Sequence, residues 1–254
     1  IKEVRRVGAT WSVVRPSAFA RRITSNTPMQ ITGPAAGHAL MKTAYADENG
    51  NAAGDANGTL VLGTVNNCAH GHPPWGTYLT CEENWNGNFG TTLPFTANQL
   101  ESRYGVSANG FGYRWHQADP RWDVRKNPNE TNRFGWVVEV DPYDPNFLPK
   151  KRTALGRMKH EAATTVVAPD GRVAVYTGDD ERFEYMYKFV TADNNYTYLA
   201  LEDMKPAGCE PVELAAGPTM QDPARPYEWS IAGGTDVAEA AAEADAAIEA
   251  ALNG

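Results

Sequence analysis

Apolar and polar residues alternate with a period of two in short runs along most of the chain, and each run is bounded by Gly, Pro, Asn or Asp. That period puts one face of an extended segment into a core and the other toward water, so the runs predict strands. They fall at residues 2–7, 11–14, 59–65, 76–81, 134–140, 162–168, 173–177 and 184–190. The clearest hairpin spans residues 166–177, with its turn at Pro169-Asp170-Gly171. Gly33-Pro34-Ala35-Ala36-Gly37 is too rich in breakers for an element interior, and residues 66–74 read as a polar loop. Residues 91–132 carry Tyr104, Phe111, Tyr113, Trp115 and Trp122 without a period, which predicts a packed excursion over a core or along a cleft. No strong helical pattern precedes residue 235, whereas residues 236–252 read as an Ala-rich acidic helix. The expected fold class is all-β, a sandwich or a β-propeller.

Composition narrows the function more than the fold. A net charge of −8 and the lack of any Lys/Arg run exclude an ordinary nucleic-acid binder and fit either cation binding or plain solubility. No apolar run is long enough to span a bilayer, and the chain starts at Ile1 without a signal-like segment, so the leader of an exported form has been removed or was never included in this sequence. Three cysteines cannot all pair internally, so at least one is free or ligated.

The chemistry concentrates at residues 75–90, where Cys81, Glu82, Glu83 and Asn84 end a strand. A thiolate is a soft ligand for iron or zinc, and carboxylates and Asn carbonyls suit a harder ion such as calcium; together they fit a site for more than one metal. Neighbours on a strand point to opposite faces, so Cys81 and Glu82 share a site only if the chain turns between them. A Cys68–Cys81 disulfide is the competing reading. His70 and His72 lie side by side without a matching third nitrogen and read as exposed; residues 44–58 resemble a calcium loop in composition but lack its spacing, and read as a solvated turn. Further along, Glu161 opens one strand and Asp179-Asp180 closes another, so loops meeting at one axis would gather these acids into a cage.

Longer matches then accumulate in order: Arg21-Arg-Ile-Thr-Ser-Asn-Thr-Pro-Met29, Leu62-Gly-Thr-Val-Asn-Asn-Cys-Ala69, Trp75-Gly-Thr-Tyr-Leu-Thr-Cys-Glu-Glu-Asn84, Asn132-Arg-Phe-Gly-Trp-Val-Val-Glu-Val-Asp-Pro142, Lys159-His-Glu161 and Tyr176-Thr-Gly-Asp-Asp-Glu-Arg-Phe-Glu-Tyr185. Through these segments the chain resembles the PhoX family of bacterial alkaline phosphatases. The resemblance implies a β-propeller, partial at this length, whose channel holds iron and calcium and hydrolyses phosphomonoesters, and export to the periplasm or beyond by the twin-arginine route. It implies Cys81 as the iron-binding cysteine, Glu82, Glu161 and Asp180 as metal carboxylates, and Arg182 and Lys159 as phosphate contacts. His160 is read as a structural hydrogen-bond partner.

Propeller blades are expected over residues 1–190 and a divergent segment over 191–254, which ends in the Ala-rich helix. Within it, residues 220–229 resemble a family Arg-Pro-Glu segment and nominate Arg225 for substrate and Glu228 for metal. Two departures stand out: the family is longer, and its Lys-His-Glu motif is usually followed by Gly where this chain has Ala162. A half-propeller would expose sheet edges, for which self-association is one cover. The alternative to a phosphatase is a non-catalytic calcium-binding propeller fragment with a structural or interaction role.

Overall fold

The computed structural model describes residues 1–44 and 54–191, together with the backbone of two short strands at 230–231 and 235–236. The N-terminal hairpin pairs β1 (Val4–Val7) with β2 (Thr10–Val13) and stands apart from the main sheets. A six-stranded sheet follows, built from β3 (Pro28–Thr32), β4 (Leu60–Leu62), β5 (Asn67–Gly71), β6 (Tyr78–Glu82), β7 (Val137–Val140) and β8 (Lys150–Arg152) in the order β4-β3-β8-β7-β6-β5. All of its pairings are antiparallel except β3 with β8. A three-stranded antiparallel sheet adds β9 (His160–Val167), β10 (Val173–Asp179) and β11 (Met186–Val190), in the order β11-β10-β9. β12 (Ser230–Ile231) and β13 (Thr235–Asp236) pair with each other. The described residues are thus mostly β, with few helices and no closed barrel.

The β9–β10 hairpin forms where Asp-Gly dictated it, with Gly171 at φ +86°. In the six-stranded sheet, β3, β5 and β8 arise where the pattern showed no strand. Residues 67–71, expected as loop, form β5 along the edge of β6. The Lys150–Arg152 segment, too charged to suggest a strand, forms the buried β8 because acids across the sheet match its cations. Lys151 Nζ reaches Glu82 Oε1 at 2.7 Å, and Arg152 Nε donates to Glu139 Oε2 at 2.6 Å. Glu139 also accepts from Trp75 Nε1 (2.7 Å) and Thr77 Oγ1 (2.5 Å), so its charge is well satisfied within the core.

Residues 91–132 form the expected excursion, with two short helices, α1 (Gln99–Arg103) and α2 (Trp115–Ala118). Asn98 and Glu101 cap α1 reciprocally, each side chain accepting the other's backbone N–H. The excursion covers an aromatic core in which Trp85, Phe89, Trp122 and Phe134 touch edge to face or tilted. A second core, of Leu79, Cys81, Val137, Leu155, Ala163, Val173 and Val175, holds the two main sheets together. The calls on the Ala-rich helix, Arg225, Glu228 and most of the calcium-like loop lie outside the described residues.

Candidate metal centre

The edge strand β5 of the larger sheet lies beside the edge strand β9 of the smaller one, and candidate ligands line that seam. Cys68 on β5, Glu83 just past β6, and Glu161 on β9 each offer a ligand atom within 4.8 Å of the others. The Cys68 Sγ lies 3.8 Å from Glu161 Oε1. Asp180, at the end of β10, stands against Glu83, and its backbone N–H donates to the Lys159 carbonyl at 3.0 Å.

Local backbone features aim these groups. β5 carries one residue more than β6 between the pairs Asn67↔Glu82 and His70↔Thr80, a bulge that sets Cys68 out of strict alternation. Asn66, at φ +49°, accepts the Glu83 N–H through its carbonyl (3.1 Å) and donates its amide to the Asn84 carbonyl (2.9 Å), so the turn carrying Glu83 is pinned to the root of β5.

The thiol that meets these carboxylates is Cys68, and the structure does not bring the expected Cys81 to them. Cys81 is fully buried in the apolar core between the sheets, where burial, and then the negative charge of Cys68 and Glu82, push its thiol up to about 12. No disulfide links the two, and both are free thiols. Glu82 does not reach them for a related reason: it is fully buried on the opposite side from Glu83 in the alternation. Its carboxylate takes Lys151 together with the backbone N–H groups of Gly135 (3.0 Å) and Trp136 (3.1 Å). Glu161 and Asp180 do come to the site.

Among the substrate calls, Lys159 is buried and ion-paired with Glu181, so it is not open to a ligand. Arg182 is exposed just beyond Asp180, and its guanidinium has no partner among the described residues. His160 is wholly buried, with Nδ1 2.8 Å from Thr177 Oγ1 and Nε2 3.0 Å from the Gly156 carbonyl; burial pulls it down to about 4, so it sits neutral as a structural link. At the surface His70 stacks on Tyr78, and His72 meets the same ring edge-on.

The donor set fits metal ions. Glu83, Glu161 and Asp180 make no ion pair with Lys or Arg among the described residues, although they crowd one thiol. A hydrogen bond to Glu83, then burial and the charges of Glu83 and Glu161, raise the Cys68 thiol to about 11. Burial raises the Glu83 carboxyl, and Asp180 and Glu161 push it the same way against the bond from Cys68. Anions gathered without a cation repel one another, and a metal would reverse that balance by displacing the thiol proton. Cys68 was not singled out from the sequence because β5 reads there as loop; Asn66-Asn67 ahead of Cys68, with Asn66 at positive φ, is the local signal of the turn that places it.

A solved structure described as Pseudomonas fluorescens PhoX in complex with vanadate, a transition state analogue, is 51% identical, with a TM-score of 0.71, over 78% of this chain and 33% of that one. The chain thus spans about a third of that protein's length. No protein of curated function matches it. The model of the family described as alkaline phosphatase PhoX matches residues 1–210, and the chain belongs to that family.

Proposed function

We propose that this chain carries metal-binding blades of a PhoX-type phosphomonoesterase that releases inorganic phosphate from phosphate monoesters. The observation that carries the reading is the convergence of the Cys68 thiol with the Glu83 and Glu161 carboxylates across two sheet edges. Iron on the thiol side and calcium on the carboxylate side fit the softness of the donors. Bound there, such ions supply positive charge to phosphate oxygens. The chain's own contribution is positional: Cys68, Glu83, Glu161 and Asp180 hold the cations, and the unpaired Arg182 is placed to donate to a phosphate oxygen. Lys159 acts at one remove, by neutralising Glu181 beside the site. Arg225 and Glu228 are proposed as later contributors from the segment 191–254.

The two sheets are proposed as propeller blades within residues 1–190. Export to the periplasm and covering of open sheet edges by a further copy belong to the same reading. The test is metal analysis of the purified chain alongside hydrolysis of p-nitrophenyl phosphate. Iron together with calcium, and turnover that Glu83→Gln abolishes, is the expected result. Calcium alone without turnover would favour the non-catalytic calcium-binding role instead.

A further inference from the structure

The two strands that face each other across the site are both irregular at the ligand. On β9 the pairs Tyr176↔Thr164 and Gly178↔Glu161 leave one extra residue on the β9 side, a bulge around Ala162. Ala162 sits at φ +69°, a left-handed conformation in which a Cβ is unfavourable. Its effect follows from alternation. Residues 161 and 163 of a regular strand share a face, and Ala163 is fully buried in the apolar core with Leu79, Cys81 and Val137. The extra residue breaks that phase, so Glu161 turns outward toward Cys68 while Ala163 still points inward.

A second feature sets how close the strands come. A Cβ built on Gly71 of β5 would lie 1.8 Å from the Ala163 carbonyl oxygen, so that oxygen occupies the space a side chain would need. Gly71 has no positive φ to explain its identity. Beside this contact Thr165 Oγ1 donates to the His72 carbonyl at 2.7 Å. Three contacts therefore run in step along the seam: Cys68 with Glu161, Gly71 with Ala163, and His72 with Thr165.

We propose that Gly71 and Ala162 are positioning residues of the metal centre. The missing side chain at Gly71 sets the approach of the two sheet edges, and the left-handed bulge at Ala162 aims Glu161 across it. The inference rests on the metal reading above and adds what fixes its geometry.

The test is titration of the metal-free chain with iron(II) under anaerobic conditions, followed by calorimetry, with far-UV circular dichroism as the control for folding. Gly71→Ala lowers iron affinity by about 10–100-fold, the usual effect of losing a group that orients a ligand. At position 162 the order follows tolerance of positive φ: Ala162→Gly and Ala162→Asn keep parental affinity, whereas Ala162→Val loses it, since a β-branched residue resists that conformation. Any positive-φ position shows this order in stability, so what a merely structural position would not show is loss of iron affinity by an Ala162→Val variant whose dichroism and melting temperature match the parent. Parental affinity in both Gly71→Ala and Ala162→Val overturns the inference, as does iron loss confined to variants whose dichroism has collapsed. Cys68→Ser separates the two levels. If it keeps iron, the metal reading itself fails; if it loses iron while the seam variants retain it, only the positioning claim fails.

Discussion

Replacing each of the two neighbouring cysteines by serine separates packing from ligation. Cys81 is fully buried among Leu79, Val137, Leu155, Ala163, Val173 and Val175. A serine there buries a hydroxyl in an apolar pocket, at a cost of about 1–3 kcal/mol where no acceptor is in reach. For a domain of this size each kcal/mol moves the melting temperature by about 2–4 °C, so Cys81→Ser melts roughly 2–12 °C below the parent. Its metal content stays that of the parent, because the sulfur faces the core and not the seam. Cys68 is exposed on an edge strand, so Cys68→Ser changes metal-free stability by no more than about 0.5 kcal/mol. It removes the one soft donor near Glu83 and Glu161 among the described residues, and iron is lost. The assay is thermal unfolding of chelator-treated protein beside elemental analysis of untreated protein. Iron retained by Cys68→Ser and lost from a fully stable Cys81→Ser would refute the reasoning.

Other consequences follow from the buried charges. Lys151→Met strands the Glu82 carboxylate in the core and costs about 3–5 kcal/mol in urea unfolding, and the double variant Glu82→Gln/Lys151→Met recovers most of it; an equally unstable double variant would contradict this. Burial pulls the Lys151 ammonium from 10.5 down to about 8, so between those values the unfolded chain holds more protons than the folded one and this group makes stability rise with pH; the contribution vanishes in the same double variant. Arg157 lies over the rings of Trp85 and Tyr104, with Nε donating to the Phe134 carbonyl (2.9 Å) and Nη2 to the Thr131 carbonyl (2.7 Å). Lysine cannot reproduce that planar fork, so Arg157→Lys costs about 1–3 kcal/mol, measured as a shift in urea midpoint. Chelation of bound metal lowers stability by about 2.7 kcal/mol where free metal had stood at one hundred times its dissociation constant, and calorimetric scans with and without chelator read the difference.

The sequence by itself determined the elements whose cause is local. Alternation with a turn at Asp170-Gly171 fixed the β9–β10 hairpin, and the unpatterned aromatics of 91–132 marked the excursion that covers the core. Glu161 and Asp180 stand where a strand meets a polar turn, but it was the family resemblance of their motifs that put them among the metal candidates. What only the tertiary structure decided is which groups meet. β8 is a strand because Glu82 and Glu139, distant in the chain, neutralise Lys151 and Arg152, so its charge pattern alone argues against it. Cys68 rather than Cys81 reaches the site because bulges on β5 and β9 shift the phase of both strands at the seam. A period of two assigns faces only while pairing is regular, and one extra residue, visible only against the partner strand, reverses the assignment of everything beyond it.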